Sequence, residues 1–371
     1  FLQAVMEREV LNADFWTEPR AVGVPVDIQL APESVRPLVA ALEDQHIPYT
    51  VTHSDLERDI LNSYIANNMA RRTPGRHNFD SYMPYDDMMA WLSARADDCG
   101  DRCELFSIGQ TYQGRDQMVI KITDGSGDSS KPGLWVDSGI HAREWIAFAM
   151  GCWFIDQLVS EDANAEADIL NKYDVYVLPA LNADGYIYTH ESDRMWRKSR
   201  RPNQGSSCIG TDVNRNFDHN FGGIGTSSNP CSETYHGGSA YSNPESGNVA
   251  NFIENNIPSG GWVSFLTLHS YGKLWMAPWG YTTDRPETAP ELDRVGLCGV
   301  AALEAVNGVT FRYGSASQIL YESSGTSRDW AYGVPQIPYV YTIELRENSF
   351  ILPPEQIVPS GEETYAGWKA M

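Results

Sequence analysis

The stretch GLWVDSGIHAREWIAFAM, residues 133–150, decides how the chain is read. Its first seven residues are a short, apolar run ending in Ser-Gly, which predicts a buried strand. Its second half opens a long apolar segment, WIAFAMGCWFIDQLVS, which predicts a buried helix. Between them stand His141, Arg143 and Glu144, three polar groups at a strand-to-helix junction. In a parallel α/β sheet, ligands bind beyond the carboxyl ends of the strands, so this junction is where a site belongs.

The same pattern recurs outward from it. QMVIKIT, YDVYVLPALN, WVSFLTLHS and IPYVYTIELRE read as strands, with helical stretches such as ELDRVGLCGVAALEAV between them. Strands alternating with helices from about residue 77 onward predict an α/β domain with a mixed, mostly parallel central sheet and helices on both faces. Ahead of it lies a smaller unit. VPVDIQL (24–30) and PYTVTH (48–53) alternate as strands do. Val35, Leu38, Val39 and Leu42 recur at helical spacing, with Pro37 tolerable only near a first turn. SDLERDILNSYI predicts a second helix with Ser54 as its N-cap. The polar, basic segment NNMARRTPGRHNF then reads as an exposed linker, with Arg71, Arg72 and Arg76 suited to a trypsin-like protease.

The chain has 371 residues, 42% of them hydrophobic, enough for a sizeable core, and a net charge of −22. That acidity argues against a nucleic-acid partner, which needs a basic stripe. No apolar run is long enough to span a membrane. The start at Phe1 lacks the features of a secretory signal, as expected if one has been removed. Six cysteines are too few for a disulfide framework, and without a CxxC pair a zinc ribbon is not expected. Cys99 with Cys103, and Cys208 with Cys231, lie where loops are open to stapling. Cys152 and Cys298 fall in apolar helical segments and read as buried thiols.

HxxE alone is a weak motif, but His269 at the end of another apolar strand supplies a third candidate. Two imidazoles and a carboxylate suit a catalytic zinc ion, which keeps a fourth position for water. Glu344 interrupts the strand YTIELRE, where an unpaired carboxylate costs several kcal/mol. Either it pairs with an arginine such as Arg346, or it is a general base. Arg197 in DRMWRKSRR, and Asn214 with Arg215 in DVNRNFD, are either surface groups or donors for an oxyanion and a carboxylate.

HAREW, NADGY…DRMWRKSR, DVNRNFD, PCSETYHG, LHSYG, ILYESSGTSRDW and TIELRE occur in the order found in zinc carboxypeptidases of the pancreatic A/B type. The chain resembles that family from about residue 77 to 371, and residues 1–76 are similar to its activation segment, a small α+β ferredoxin-like domain. The resemblance implies one zinc ion held by His141, Glu144 and His269, with Asp212 orienting His141. It implies Glu344 as general base for the attacking water and Arg197 as the oxyanion donor. Asn214, Arg215 and Tyr321 would clamp the terminal carboxylate of the substrate, Arg143 would be an outer carboxylate site, and Tyr271 would line the preceding subsite. It implies a Cys208–Cys231 disulfide and hence an oxidising, extracellular setting; the digestive lumen would fit. Cys99 and Cys103 are left either bridged or free. Peptide and protein C-termini would be the substrates, a trypsin-like protease the activator, and the molecule a monomer.

One position departs from the commoner members. Arg328 stands where A-type enzymes carry an aliphatic residue and B-type enzymes an aspartate, at the floor of the pocket for the C-terminal side chain. There it resembles carboxypeptidase O and some invertebrate relatives. A guanidinium in that floor, helped by Ser323 and Thr326, favours Glu or Asp and rejects Lys and Arg; neutralised by Asp329, it would be structural instead. The competing expectations are A-type specificity, a non-catalytic peptide-binding relative, and a cytosolic peptide-modifying member of the wider metallopeptidase group.

Overall fold

The computed structural model of the chain describes residues 1–7, 11, 13–19, 22–71, 79–160 and 169–371. The chain divides into two compact units, Phe1–Asp59 and Ile60–Met371.

In the first unit, β1 (Asp14–Phe15) pairs antiparallel with β2 (Ile28–Gln29). The predicted strand over 24–30 therefore shrinks to two residues. Helix Pro32–Asp44 buries Leu38 and Leu42 and starts on Pro32, but Pro37 lies in its interior, beyond the first turn, where it deletes one rung of the ladder. PYTVTH forms no strand. Tyr49 and Val51 are exposed, because alternation makes a strand only where a neighbour supplies ladder hydrogen bonds. The cap of helix Leu56–Ala70 is Asp55 rather than Ser54: its Oδ1 accepts the Arg58 N–H at 3.0 Å.

The second unit is built on an eight-stranded sheet. Its strands are β3 (Cys103–Gln110), β4 (Asp116–Ile122), β5 (Gly133–Ser138), β6 (Asp174–Leu178), β7 (Trp262–His269), β8 (Leu274–Ala277), β9 (Arg312–Ser315) and β10 (Tyr339–Glu344). They lie in the order β3-β4-β6-β5-β7-β10-β8-β9. The central four run parallel, and β3, β4 and β8 run antiparallel to their inner neighbours. Successive side chains of the central strands enter opposite layers. Leu134, Val136, Leu266, Leu268, Tyr341 and Ile343 join one core with helices Tyr85–Cys99, Trp145–Val159, Ala289–Asn307 and Ile357–Ala370. Trp135, Phe265 and Val340 join the other with helix Pro244–Asn255. Burial on both faces explains why these strands are almost wholly apolar in sequence.

Disulfides join Cys99 to Cys103, closing the turn from a helix into β3, and Cys208 to Cys231. Cys152 is a buried thiol, but Cys298 is exposed. It falls between the buried positions Val295, Gly296, Gly299 and Val300 of its helix, on the outward face that an apolar composition conceals. Among the described residues, no helix is long and apolar enough to cross a membrane.

The turn between β3 and β4 is pinned by two buried carboxylates. Asp184 accepts hydrogen bonds from Thr111 and Arg115 at one oxygen and from the Gln113 N–H at the other. Glu245 accepts the Tyr112 N–H at 3.1 Å, while its Oε2 has no partner. Burial lifts the Glu245 carboxyl from 4.5 to about 7. Because the folded value is the higher one, stability from this group is fully present below the unfolded value and is lost as pH rises toward 7. Glu245→Gln keeps the acceptor for Tyr112 and removes the titration. Relative to wild type it should gain stability between pH 4.5 and pH 8, by roughly 3 kcal/mol at the limit, in urea unfolding at the two pH values. An unchanged difference would show that Glu245 does not titrate on folding.

Candidate active site

Three strand ends assemble the site. β5 runs out at Ser138 into Gly139, whose φ of 73° and contact with the Phe148 ring exclude a side chain; a Cβ there would come within 2.3 Å of that ring. The chain then presents His141, and Glu144 stands at the N-cap position of helix Trp145–Val159 without a side-chain capping bond. Asn182 holds this loop through the carbonyls of Ile140 and Lys198, and the Ala142 N–H donates to the Arg197 carbonyl. His269 is the last residue of β7, and β10 pairs with it in register, so Glu344 lies directly beside His269.

His141, Glu144 and His269 are buried, and their ligand atoms all lie within 4.8 Å of one another. The His141 Nδ1 is 2.7 Å from Glu144 Oε1 and 3.2 Å from the His269 Nδ1, which is 3.3 Å from Glu144 Oε2. Ligand atoms about 2.1 Å from a tetrahedral zinc ion are themselves roughly 3.4 Å apart. Two ring nitrogens facing one another beside a carboxylate have at most one shared proton between them, so the donor set is that of a cation site. The residues fit zinc. Burial raises the Glu144 carboxyl, but the His141 and His269 imidazoles outweigh it and hold it well below the usual carboxylate range. Burial also lowers His269, favouring the neutral ring that a metal ligand requires.

Asp212 ties this centre to the donors around it. Its Oδ1 faces the His141 Nε2 at 3.2 Å and accepts the Asn214 N–H at 3.0 Å. Its Oδ2 accepts from Arg197 Nη2 at 2.8 Å. Although Asp212 is fully buried, the charges of Arg197, His141 and Arg215 keep it ionised, well below its ordinary value. Asp212 in turn raises the Arg197 guanidinium against the effect of burial.

Glu344 is not paired with Arg346. That arginine is bound by Glu363 at 2.9 and 2.5 Å and by Gln356. The Glu344 Oε2 is buried without a partner, and burial and the nearby Glu144 charge raise its carboxyl well above 4.5. The Asn214 Oδ1 accepts the Ser327 N–H, and Arg215 donates to the Gly225 and Asn214 carbonyls while its Nη2 is buried and unbonded. The Arg215 guanidinium lies 5.9 Å from the centre of the Tyr321 ring. Arg143, 1% exposed, lies over the Phe350 ring, and Tyr271 packs edge-on against the same ring. Arg328 is buried and donates through Nε to Asp329, and its Nη2 has no partner.

The sequence reading missed Arg194. It is buried over the Trp145 ring and donates to the carbonyls of Arg143 and Phe350. Nothing in DRMWRKSRR sets it apart from four neighbouring basic residues, because its role is defined by distant carbonyls.

A mixed α/β sheet with a His₂Glu cluster at its strand ends and a carboxylate beside it defines a zinc-dependent hydrolase. Residues 88–367 match the family described as zinc carboxypeptidase, and residues 1–63 the carboxypeptidase activation peptide. Carboxypeptidase A4 of Mus musculus is 37% identical over all of this chain and 89% of its own length. Carboxypeptidase A1 of Sus scrofa is 34% identical over 96% and 86%. The carboxypeptidase A structure from Helicoverpa armigera superposes with a TM-score of 0.89 at 28% identity, covering 100% of this chain and 92% of that one. That of thrombin-activatable fibrinolysis inhibitor gives 0.90 at 30%, covering 99% and 93%. The chain belongs to the zinc carboxypeptidase family. With its activation peptide it is the zymogen of an A-type zinc metallocarboxypeptidase, which requires a protease for activation and acts on peptides.

Proposed function

We propose that the mature enzyme removes acidic residues, Glu and Asp, from peptide C-termini. The observation that carries this reading is the buried Arg328, whose Nη2 has no hydrogen-bond partner although the Asp329 carboxylate adjoins it. Asp329 accepts from the guanidinium through Nε and from the Gly280 and Tyr281 N–H groups, which leaves the Arg328 Nη2 unbonded. A substrate carboxylate would satisfy the orphaned donor, whereas an aromatic side chain would leave it desolvated and a cationic one would be repelled. A-type specificity for aromatic or aliphatic residues is the second reading, favoured by the identity to relatives named carboxypeptidase A.

His141, Glu144 and His269 would hold the zinc ion, which would supply a Lewis acid and make water at the site more acidic. Glu344, with one bare oxygen, takes a proton from the attacking water and passes it to the leaving amine. Arg197, fixed on one edge by Asp212, donates to the oxyanion. Asn214, Arg215 and Tyr321 bind the terminal carboxylate, with Arg143 as an outer station and Tyr271 lining the subsite before it. The unbonded Arg215 Nη2 supports that clamp.

Residues 1–76 are assigned to the activation domain with its connecting segment and 77–371 to the catalytic domain. A trypsin-like protease would cut between them, at Arg71, Arg72 or Arg76. Arg71 is ion-paired with Asp87, while Arg72 and Arg76 lie outside the described residues. Two disulfides support a secreted, extracellular protein, and we take it to be a monomer.

After trypsin treatment, kcat/KM measured on matched peptides ending in Glu, Phe and Lys should be highest for Glu and lowest for Lys. A preference for Phe or Lys would overturn the acidic reading.

A further inference from the structure

Arg328 lies against a backbone position with no side chain. A Cβ built on Gly280 would stand 2.0 Å from the Arg328 Nη2, and 3.1 Å from both the carbonyl oxygen and the hydroxyl of Ser323. The Gly280 backbone is clamped on both sides. Its N–H donates to the Asp329 oxygens at 2.8 and 3.0 Å, and its carbonyl accepts the Ser323 N–H at 2.8 Å. The neighbouring Tyr281 N–H donates to the same carboxylate at 2.9 Å. Asp329 also accepts the Arg328 Nε at 3.0 Å, so one buried carboxylate fixes both the loop and the guanidinium.

We propose that Gly280 is a specificity-determining position. Its missing side chain is the seat of the Arg328 guanidinium, and Asp329 is the positioning residue that holds the guanidinium there with its Nη2 unbonded. The inference rests on the reading of Arg328 as the anchor for an acidic side chain.

The φ of Gly280 lies outside the left-handed region, so alanine meets no backbone strain there. With the loop tied down by two N–H donors and a carbonyl, the added methyl displaces the end of the arginine rather than the backbone. The guanidinium forfeits no bond at Nη2 by leaving. It does lose its alignment on Asp329, and with it the fixed geometry that makes a bidentate pair selective.

The test compares wild type, Gly280→Ala, Arg328→Met and the double variant, each trypsin-activated, by the ratio of kcat/KM for Glu-ended over Phe-ended peptides. Measurable cleavage of the Phe-ended peptide shows that a variant is folded. Gly280→Ala should lower the ratio by roughly tenfold or more, the scale of a lost charge-assisted hydrogen bond. On the Arg328→Met background the same alanine should leave the ratio unchanged. If Gly280→Ala keeps the wild-type ratio, or lowers it equally with and without Arg328, the proposal is overturned while the role of Arg328 stands. If Arg328→Met itself leaves the ratio at the wild-type value, the acidic reading fails and the proposal falls with it.

Discussion

Glu344→Gln should reduce kcat by about 10²–10⁴-fold, the contribution of a positioned general base, with KM changed far less. The substitution keeps the shape of a side chain whose Oε2 is already buried and unbonded, so it removes proton transfer and little else. It also removes a like charge from beside Glu144, one of the causes that raise the Glu344 carboxyl. The variant should therefore bind zinc as well as wild type does and unfold at the same or a higher temperature. Steady-state kinetics on activated enzyme, with metal content and thermal unfolding measured in parallel, would check this. A kcat within tenfold of wild type, with zinc retained, would remove Glu344 from the chemistry.

Glu144→Gln should abolish activity by a different route. The amide keeps the volume but not the charge that faces two imidazoles at 2.7 and 3.3 Å. Loss of an outer partner of a metal ligand typically costs about 10–100-fold in affinity, and loss of a ligand should cost at least the upper figure. After dialysis against a mild chelator, wild type should retain one zinc per chain and the variant almost none. Excess zinc should not restore wild-type kcat. Stoichiometric zinc in the variant at wild-type affinity would show that the ion, if bound there, does not depend on this carboxylate.

Much of the architecture could be read from the chain because the central strands are buried on both faces and so are largely apolar. A histidine or carboxylate at or just beyond their carboxyl ends then stands out. His141, His269 and Glu344 were visible for that reason, and HxxE placed Glu144 beside them. Asp212 lies in an irregular segment, and its significance came from the resemblance alone, while Asn214 and Arg215 beside it stood out only as surface groups or donors. What the chain concealed were pairings between distant residues. Arg346 has the acidic Glu344 two positions away yet is bound by Glu363, seventeen residues on. Arg194 is held by carbonyls, which carry no side-chain signal. The misplaced strand at 48–53 and the cap at Ser54 failed for a simpler reason. Alternation and hydroxyl residues state a local preference, and the available partner decides.

Because Glu344 and His269 are matched across two parallel strands contributed by distant parts of the chain, the hydrolytic apparatus is also a gauge of correct assembly. Shifting β10 by a single residue would exchange an acid for Ile343 or Leu345 and turn its side chains to the opposite layer. On the proposed role of Glu344, a chain with β10 out of register would therefore lack its general base even with His141, Glu144 and His269 in place.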